Sequence, residues 1–362
     1  MIDQTDQRAG YLLSPASYRS TEWFERERAT LFTDRWSLVA SEADVAETGA
    51  YVASTIGNAP VVVVRGDDGE LRGFQNLCRH RGMQMLDGSG RCERAITCFY
   101  HQWRYGLDGA LKVVPQRKEQ FPDLDLDEWG LRPASVGTWN GMVFAHPDPA
   151  APPLASFVAP LEEHMGSHRP GELVEVARLD LEAACNWKLF VENHIDVYHL
   201  WYLHESTLGD FDHTRFEHIA VGRDWFSYEP LRDPDVAAAQ LTQGTTAIKH
   251  LDDRDRLGLG AHLLFPALMV ATAAEFFATY QAVPLAADRT RIELRVRAEP
   301  SADAGALLAA TRSFIEEDIG ACERVQAGLG SPGFAVGPLA TEHEAPITHF
   351  HECVLGALGV AR

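Results

Sequence analysis

The sequence predicts an α+β chain, an all-β module followed by a larger domain that mixes antiparallel strand with long helices. Three observations predict it. Residues 38–146 carry short β-branched and aromatic runs separated by turn signals. From Ala177 the pattern becomes mixed, with a cleanly alternating run at 291–298 and a long helical stripe over 301–329. Between the two lie the five prolines of the stretch Pro147 to Pro160, which is linker composition. A length of 362 residues with 46% hydrophobic content suits two or three domains with a sizeable core.

Taken in order, residues 20–36 read as a helix. Thr21 suits its N-cap and Glu22 its first turn, Phe24, Leu31 and Phe32 share a face, and Trp36 ends it in the core. Val61 to Val64 is a strand, Asp67-Asp68-Gly69 a turn, and Ile96–Phe99, Ala134–Val136 and Met142–Ala145 are extended. The acidic run Asp123, Asp125, Asp127 and Glu128 lacks EF-hand spacing and reads as a solvated turn. In the later strand Ile292, Leu294 and Val296 face one way and Arg291, Glu293, Arg295 and Arg297 the other, which is a half-buried antiparallel strand. The helix over 301–329 takes Ser301 as N-cap and stops at Gly328 or Gly330. A last helix runs from about Pro346 to Leu358.

A net charge of −20 argues against nucleic acid or an anionic membrane as the main partner. The first six residues have neither a basic nor an apolar signal region. The most apolar run, Leu263 to Ala274, is too short to span a bilayer and contains Pro266. The expectation is a soluble cytoplasmic protein. Cys92, Cys185, Cys322 and Cys353 are scattered and read as reduced, packed thiols.

The stretch with the most chemistry is Cys78-Arg79-His80, followed after seventeen residues by Cys98-Phe99-Tyr100-His101. Two thiolates and two imidazoles admit a Cys₂His₂ zinc site or a [2Fe–2S] cluster with thiolates on one iron and histidines on the other. Zinc fingers usually keep their cysteines together and their histidines together. Here each loop supplies one of each, which suits a two-iron cluster gripped by both loops. Cys-x-His-x₁₇-Cys-x₂-His is the Rieske motif.

A second informative stretch runs from Asn186 to His204. It is apolar and aromatic, so it should be buried, yet it carries Asp196, His199 and His204. Buried ionisable groups cost several kcal/mol unless paired or metal-bound. Asp196 and His199 share a helix face at spacing three. His199 and His204, five apart, would diverge on an ideal helix, so both reach one metal only if the helix breaks or bulges near Trp201 or Tyr202. An Fe(II) site asks for a third, anionic ligand. In the helix over 301–329, Asp318 is the one charge on the stripe Leu307, Thr311, Phe314, Asp318, Cys322, Val325 and Leu329, whereas Glu316 and Glu317 point elsewhere. The reading is a triad of His199, His204 and Asp318 with positions left open for O₂. His194 reads equally as pocket lining or core, and His349 and His351 as packed or solvated residues of the last helix.

Together the two sites resemble the α subunit of the Rieske non-haem iron oxygenases, of the aromatic-ring-hydroxylating type, over nearly the whole chain. Cys78-Arg79-His80-Arg81-Gly82, His101-Gln102-Trp103-Arg104-Tyr105 and Asp108-Gly109 are similar to the family's cluster loops. Asn186-Trp187-Lys188 with Glu192-Asn193, and Asp318 with Glu323 and Gln326, are similar to its catalytic domain. Phe99 stands where the family usually has proline, and Gln102 where it often has glycine.

The resemblance implies an N-terminal helix (1–37) packing on the catalytic domain, a Rieske domain over 38–150 and a helix-grip (START-like) catalytic domain with mononuclear iron over 151–362. It also implies a head-to-tail homotrimer in which Asp196 bridges a cluster histidine of one subunit and His199 of the next. The expected activity is O₂-dependent hydroxylation or oxidative demethylation of a small amine or aromatic acid, with ring cis-dihydroxylation as the alternative. NAD(P)H-derived electrons would arrive through a ferredoxin or flavin reductase. The segment Leu263–Ala274 and residues Phe276 to Tyr280 should line or back the pocket.

Between residues 78 and 118 eight basic residues face three acidic ones, Asp87, Glu93 and Asp108. That local excess suits docking of an acidic electron donor, and suits internal hydrogen bonding equally. A Rieske electron-transfer protein without oxygenase activity, or a helix-grip binding protein with vestigial metal residues, are the readings of other classes.

Overall fold

The computed structural model describes residues 11–207, 211–222, 224–232, 246–334 and 336–360. The chain folds as two compact units. One spans Arg28–Phe157. The other joins the described residues up to Glu27 to those from Val158 onward.

The first helix, α1 (Thr21–Glu27), widens into a π-helical turn over Arg28–Phe32 and ends there, short of Trp36. Its cap is Ser20 rather than Thr21: the Ser20 hydroxyl accepts from the Trp23 amide at 3.3 Å.

The unit Arg28–Phe157 is built on antiparallel strands β1 (Ser37–Ser41), β2 (Ala50–Ile56), β3 (Ala59–Arg65), β4 (Leu71–Gln75) and β5 (Ser89–Arg91). A short ladder follows, β6 (Ile96–Thr97), β7 (Arg104–Tyr105) and β8 (Leu111–Val113), then β9 (Pro133–Trp139) and β10 (Met142–His146). The main sheet runs β1-β10-β9-β4-β3-β2-β5. Val61 to Val64 form an unbroken apolar run because β3 is buried on both faces. Val62 and Val64 pack with Phe74, Cys78, Trp103 and Tyr105, while Val61 and Val63 pack with Val39 and Val143. The first of these cores lies directly under the two motif loops, so their cysteines are rooted in it.

The second unit is a seven-stranded antiparallel sheet with helices packed against it. Strand β11 (Val174–Ala183) leads into α2 (Trp187–Ile195) and the single turn α3 (Leu200–Leu203). The strands β12 (Phe211–Val221), β13 (Trp225–Arg232), β14 (Gly260–Leu264), β15 (Leu268–Thr272), β16 (Phe277–Ala286) and β17 (Arg289–Ala298) follow. Helices α4 (Ala304–Gly328) and α5 (Ala345–Ala357) close the chain. The order β11-β17-β16-β15-β14-β13-β12, with the long α4 against β11 and α2 against β14 and β16, is the helix-grip arrangement.

On β17, Ile292, Leu294 and Val296 are fully buried, each worth about 2 kcal/mol of transfer free energy. The opposite face is less exposed than alternation suggests. Arg295 and Arg297 are buried too: Arg297 donates to the Pro170 and Leu173 carbonyls just before β11 at 3.3 and 3.2 Å, and Arg295 lies 3.8 Å from Glu175 of β11. The N-cap of α4 is Asp303, whose carboxylate accepts from the Ala306 amide at 3.0 Å, and not Ser301. Its buried face is Thr311, Ile315, Asp318 and Cys322, while Val325 is half exposed.

Several residues that carry the family resemblance prove to hold the N-terminal segment in place. The Lys188 ammonium, fully buried, donates to Glu27 at 2.6 Å and to the Ser17 carbonyl at 3.0 Å, and the Trp187 indole donates to Glu27 at 2.9 Å. Glu192 accepts from the Tyr18 hydroxyl at 2.6 Å and lies 3.0 Å from His351. Asn186 caps α2, Glu323 accepts from the Ala184 amide and Gln326 from the Asn186 amide. His351 is thus packed, as expected.

Candidate metal centres and active-site cavity

The two motif loops have the same construction. In each, the amide of the fifth residue donates to the cysteine carbonyl: Gly82 to Cys78 and Gln102 to Cys98, both at 2.9 Å. In each, that fifth residue is left-handed, with φ 69° at Gly82 and 58° at Gln102. Glycine takes this conformation freely. Gln102 does not, and its side chain donates to the Phe99 carbonyl at 3.1 Å.

Cys78 and Cys98 are buried and adjoin one another, and burial raises the Cys78 pKa. The imidazoles face each other, with Nδ1 of His80 and Nδ1 of His101 3.1 Å apart. Burial, the neighbouring His101 and Arg81 lower the His80 pKa. Trp103 stacks on His80 with centroids 5.0 Å apart, and the Tyr105 hydroxyl lies 3.4 Å from the Cys78 sulfur. Beyond the histidines, Phe99 and Tyr100 project into solvent.

Of the basic residues around these loops, five make internal bonds, among them exposed Arg81, which donates to the Tyr100 hydroxyl at 3.4 Å. Arg79 donates to the Gly130 carbonyl, Arg91 to that of Thr48 and Arg117 to that of Leu124, and Lys112 pairs with Asp108. Arg81, Arg94, Arg104 and Lys118 are exposed, with Arg81 lying over the Tyr100 ring.

In the other unit the helix break falls earlier than the sequence suggested. Helix α2 ends at Asp196, whose backbone is extended, and His199 begins the single turn of α3, which His204 closes. Both histidines therefore flank one short turn. Asp196 and His199 do not share a helix face. They meet across the break, Asp196 Oδ2 lying 3.1 Å from His199 Nδ1 while Oδ1 accepts from the Tyr198 amide at 2.6 Å.

The triad converges: His199, His204 and Asp318 each offer a ligand atom, all within 4.8 Å of one another. Asp318 Oδ1 is 2.8 Å from His204 Nε2 and 3.5 Å from His199 Nε2. Each Nδ1 faces a further carboxylate, Asp196 for His199 and Glu317 for His204 at 2.7 Å. Thr207 donates to the same Glu317 oxygen at 2.9 Å. A carboxylate can only accept, so each Nδ1 donates to Asp196 or Glu317, and a metal bound beside Asp318 would take the place of the proton at each Nε2.

The electrostatics follow. Burial alone would lower the His199 pKa, but the hydrogen bonds to Asp196 and Asp318 outweigh it and raise it to about 9. Against the same burial, Asp318 and Glu317 raise that of His204. Burial works to raise the Asp318 pKa, yet the two imidazoles hold it below the ordinary carboxylate value.

Glu317 is the residue that reading the sequence missed. It sits one position off the buried stripe of α4, and its length carries the carboxylate round to His204. The spacing of α4 alone holds no signal for this.

A cavity of about 550 Å³ opens beside the triad. Its walls include Phe190, His194, Ala271, Ala273, Phe276, Tyr280, Leu307 and Phe314, together with Asp196, His199, His204 and Asp318. Of the stretch expected to line or back the pocket, Ala271, Ala273, Phe276 and Tyr280 line it and most of the rest forms core. His194 lines it as well. Burial lowers its pKa to about 4, so it is neutral at physiological pH, and its Nε2 bonds the His262 carbonyl at 3.1 Å.

The catalytic-domain model of the ring hydroxylating alpha subunit matches residues 170–359, and the Rieske [2Fe-2S] domain model matches residues 35–130. The chain belongs to the ring hydroxylating alpha subunit family, whose cofactors are a Rieske [2Fe–2S] cluster and a mononuclear iron.

Among curated relatives, the biphenyl dioxygenase subunit alpha of Metapseudomonas furukawaii is 36% identical over 206 residues, covering 54% of this chain and 45% of that one. The carnitine monooxygenase oxygenase subunit of Escherichia coli K12 is 31% identical over 235 residues, covering 64% and 62%. The chain spans about half the length of the biphenyl dioxygenase relatives it matches. A solved quaternary ammonium Rieske monooxygenase, CntA, shares the fold over 99% of both chains with a TM-score of 0.82 at 23% identity. Among the described residues no helix is long and apolar enough to cross a membrane.

Proposed function

We propose that this chain is the oxygenase component of a Rieske-type system. It would use O₂ and two reductase-derived electrons to hydroxylate, or oxidatively demethylate, a small organic substrate. One oxygen atom would enter a C–H bond and the other would leave as water with two protons. The observation that carries this reading is the convergence of His199, His204 and Asp318 on the wall of a cavity.

The donor sets fit the two groups. Among the described residues the set of three or more ligand atoms within 4.8 Å of one another is His199, His204 and Asp318. Cys78, His80, Cys98 and His101 do not converge on a single ion: the thiols adjoin each other and the imidazoles adjoin each other. That division suits two irons better than one zinc. Cys78, His80, Cys98 and His101 would hold the cluster, and His199, His204 and Asp318 the iron. When bound, the cluster supplies electrons singly and the iron binds and activates O₂.

The other residues orient and exclude. Asp196 and Glu317 fix the tautomer and tilt of the two histidines. Neutral His194 and the apolar walls keep water and charge away from the reacting carbon.

Asp196 would also link His199 to His80 or His101 of a neighbouring chain in a head-to-tail homotrimer. Asp196→Asn should then keep both metals yet slow cluster reoxidation in a single turnover, and an unchanged rate would remove that role. Exposed Arg81, Arg94, Arg104 and Lys118 suit docking of an acidic ferredoxin or flavin reductase, and reduction rates should fall as salt rises.

The relatives named above include a biphenyl dioxygenase and a carnitine monooxygenase, and coverage of this chain is greater for the second. That favours mono-oxygenation over ring dihydroxylation. The test is O₂ and NADH consumption with a generic reductase over a panel of amines, aromatic acids and arenes, followed by mass analysis. A product heavier by one oxygen, or lacking a methyl group, is expected. A cis-diol would move the reading to the dioxygenases, and NADH oxidation without any product across the panel would count against oxygenation.

A further inference from the structure

We infer that the substrate is a slender, mainly apolar molecule longer than a single ring, such as linked rings or a ring bearing a long alkyl chain. It lies along α4 with one end at the triad. This rests on the reading that the cavity is the substrate site.

The cavity has its floor and its mouth at different heights of α4. Asp318, Ile315 and Thr311 line its inner part and are 8%, 2% and 2% exposed. Ala310 and Ala306 line it as well, and both are exposed. From Ala306 to Asp318 the helix advances about 18 Å along its axis. A molecule that reaches the triad from outside therefore runs past about three turns of α4.

Small residues on both walls keep this length open. Ala261 of β14 pairs with Ala271 of β15 in the interior of the sheet, yet both are partly exposed, because they face the cavity. Gly260 and Ala273 extend that wall, and Ala306 and Ala310 belong to the helix wall. Leucine or phenylalanine at these positions would fill the space.

Volume decides against a single ring. An apolar cavity of about 150 Å³ is enough to hold benzene. The volume here, about 550 Å³, is more than three times that. A one-ring amine or acid would leave most of it unfilled and forgo the apolar burial and dispersion contacts that a longer molecule makes. Phe190, Leu307 and Phe314 offer those contacts.

The test is equilibrium dialysis of p-cresol, p-butylphenol and p-heptylphenol against the iron-replete protein, Thr311→Phe and Ala310→Trp. Wild-type affinity should rise roughly tenfold or more at each lengthening, as further CH₂ groups are buried. Thr311→Phe narrows the cavity about two turns from Asp318. It should keep the p-cresol affinity and remove most of the gain for p-heptylphenol. It should melt close to wild type, since its ring extends into open space. Should it unfold instead, Ala310→Trp makes the same comparison from an exposed position.

An affinity that levels off before p-heptylphenol, or a gain that survives in both variants, would overturn the inference. So would variants that weaken p-cresol and p-heptylphenol equally. Substrate-dependent O₂ uptake, measured separately, distinguishes the readings. A length-dependent affinity without O₂ uptake across the series removes the oxygenase function alone. O₂ uptake with equal affinity for the short and long probes removes this inference alone.

Discussion

Replacing Glu317 asks whether the proposed iron site depends on the carboxylate behind His204. Glu317 accepts from His204 Nδ1 at 2.7 Å and is itself held by Thr207. A charge-assisted hydrogen bond of this kind contributes about 1.5–3 kcal/mol when sheltered. The Glu317 side chain is 27% exposed, and solvent screening reduces that. About 1–2 kcal/mol remains, so Glu317→Ala should weaken iron binding about tenfold, at the lower end of what partners of metal-bound histidines usually contribute. Glu317→Gln keeps an acceptor but not the charge and should fall between. The assay is competition for iron against a calibrated chelator, with the visible spectrum of the Rieske cluster as the internal control. If both variants hold iron as tightly as wild type with an unchanged cluster, the argument that Nδ1 partners organise this centre is refuted.

Three further outcomes follow from the geometry. Gln102→Gly should stabilise the cluster unit by up to about 1 kcal/mol by relieving a left-handed residue, read as a higher temperature of cluster bleaching. Lys188→Met leaves Glu27 buried without its counter-charge and should cost about 3–5 kcal/mol in urea unfolding, with partial recovery in the double variant Lys188→Met, Glu27→Leu. Burial first, then the neighbouring His168, His194 and His164, lower the His262 pKa to about 3. Its folded value lies below the unfolded value near 6.5, so the stability it contributes is present above that pH and lost as pH falls towards 3. Unfolding free energy should drop by about 2 kcal/mol between pH 8 and pH 5 through this group, and His262→Gln should flatten that slope.

Sequence spacing carried the fold a long way. Strand β3 was legible as an unbroken β-branched run before a turn signal, and β17 because its apolar residues alternate. The motif loops were legible because four ligand-type side chains fall within a short span of chain. Asp318 stood out as a charge on a helical stripe, and the structure brings it to His199 and His204.

The misses have local causes. No glycine or proline lies between Asp196 and Leu203, so nothing in composition marked the helix break, which comes from the chain turning at Asp196 and Val197. The caps moved by one or two residues, from Thr21 to Ser20 and from Ser301 to Asp303, because neighbouring polar residues compete for the same amides. Glu317 was illegible because its role depends on which side chain of another element lies beside it, a tertiary fact. The burial of Lys188 against Glu27 joins residues 161 apart in sequence, a separation that no local pattern encodes.

The central claim is that one chain carries an electron-delivering cluster and a separate oxygen-activating iron. Iron and acid-labile sulfide, quantified together in the purified protein, test it most directly. The account predicts about three iron and about two sulfide per chain, falling to about two iron with unchanged sulfide in His204→Ala, Asp318→Ala. Two iron and two sulfide in the wild type, unchanged by that double substitution, would contradict it and leave an electron-transfer protein.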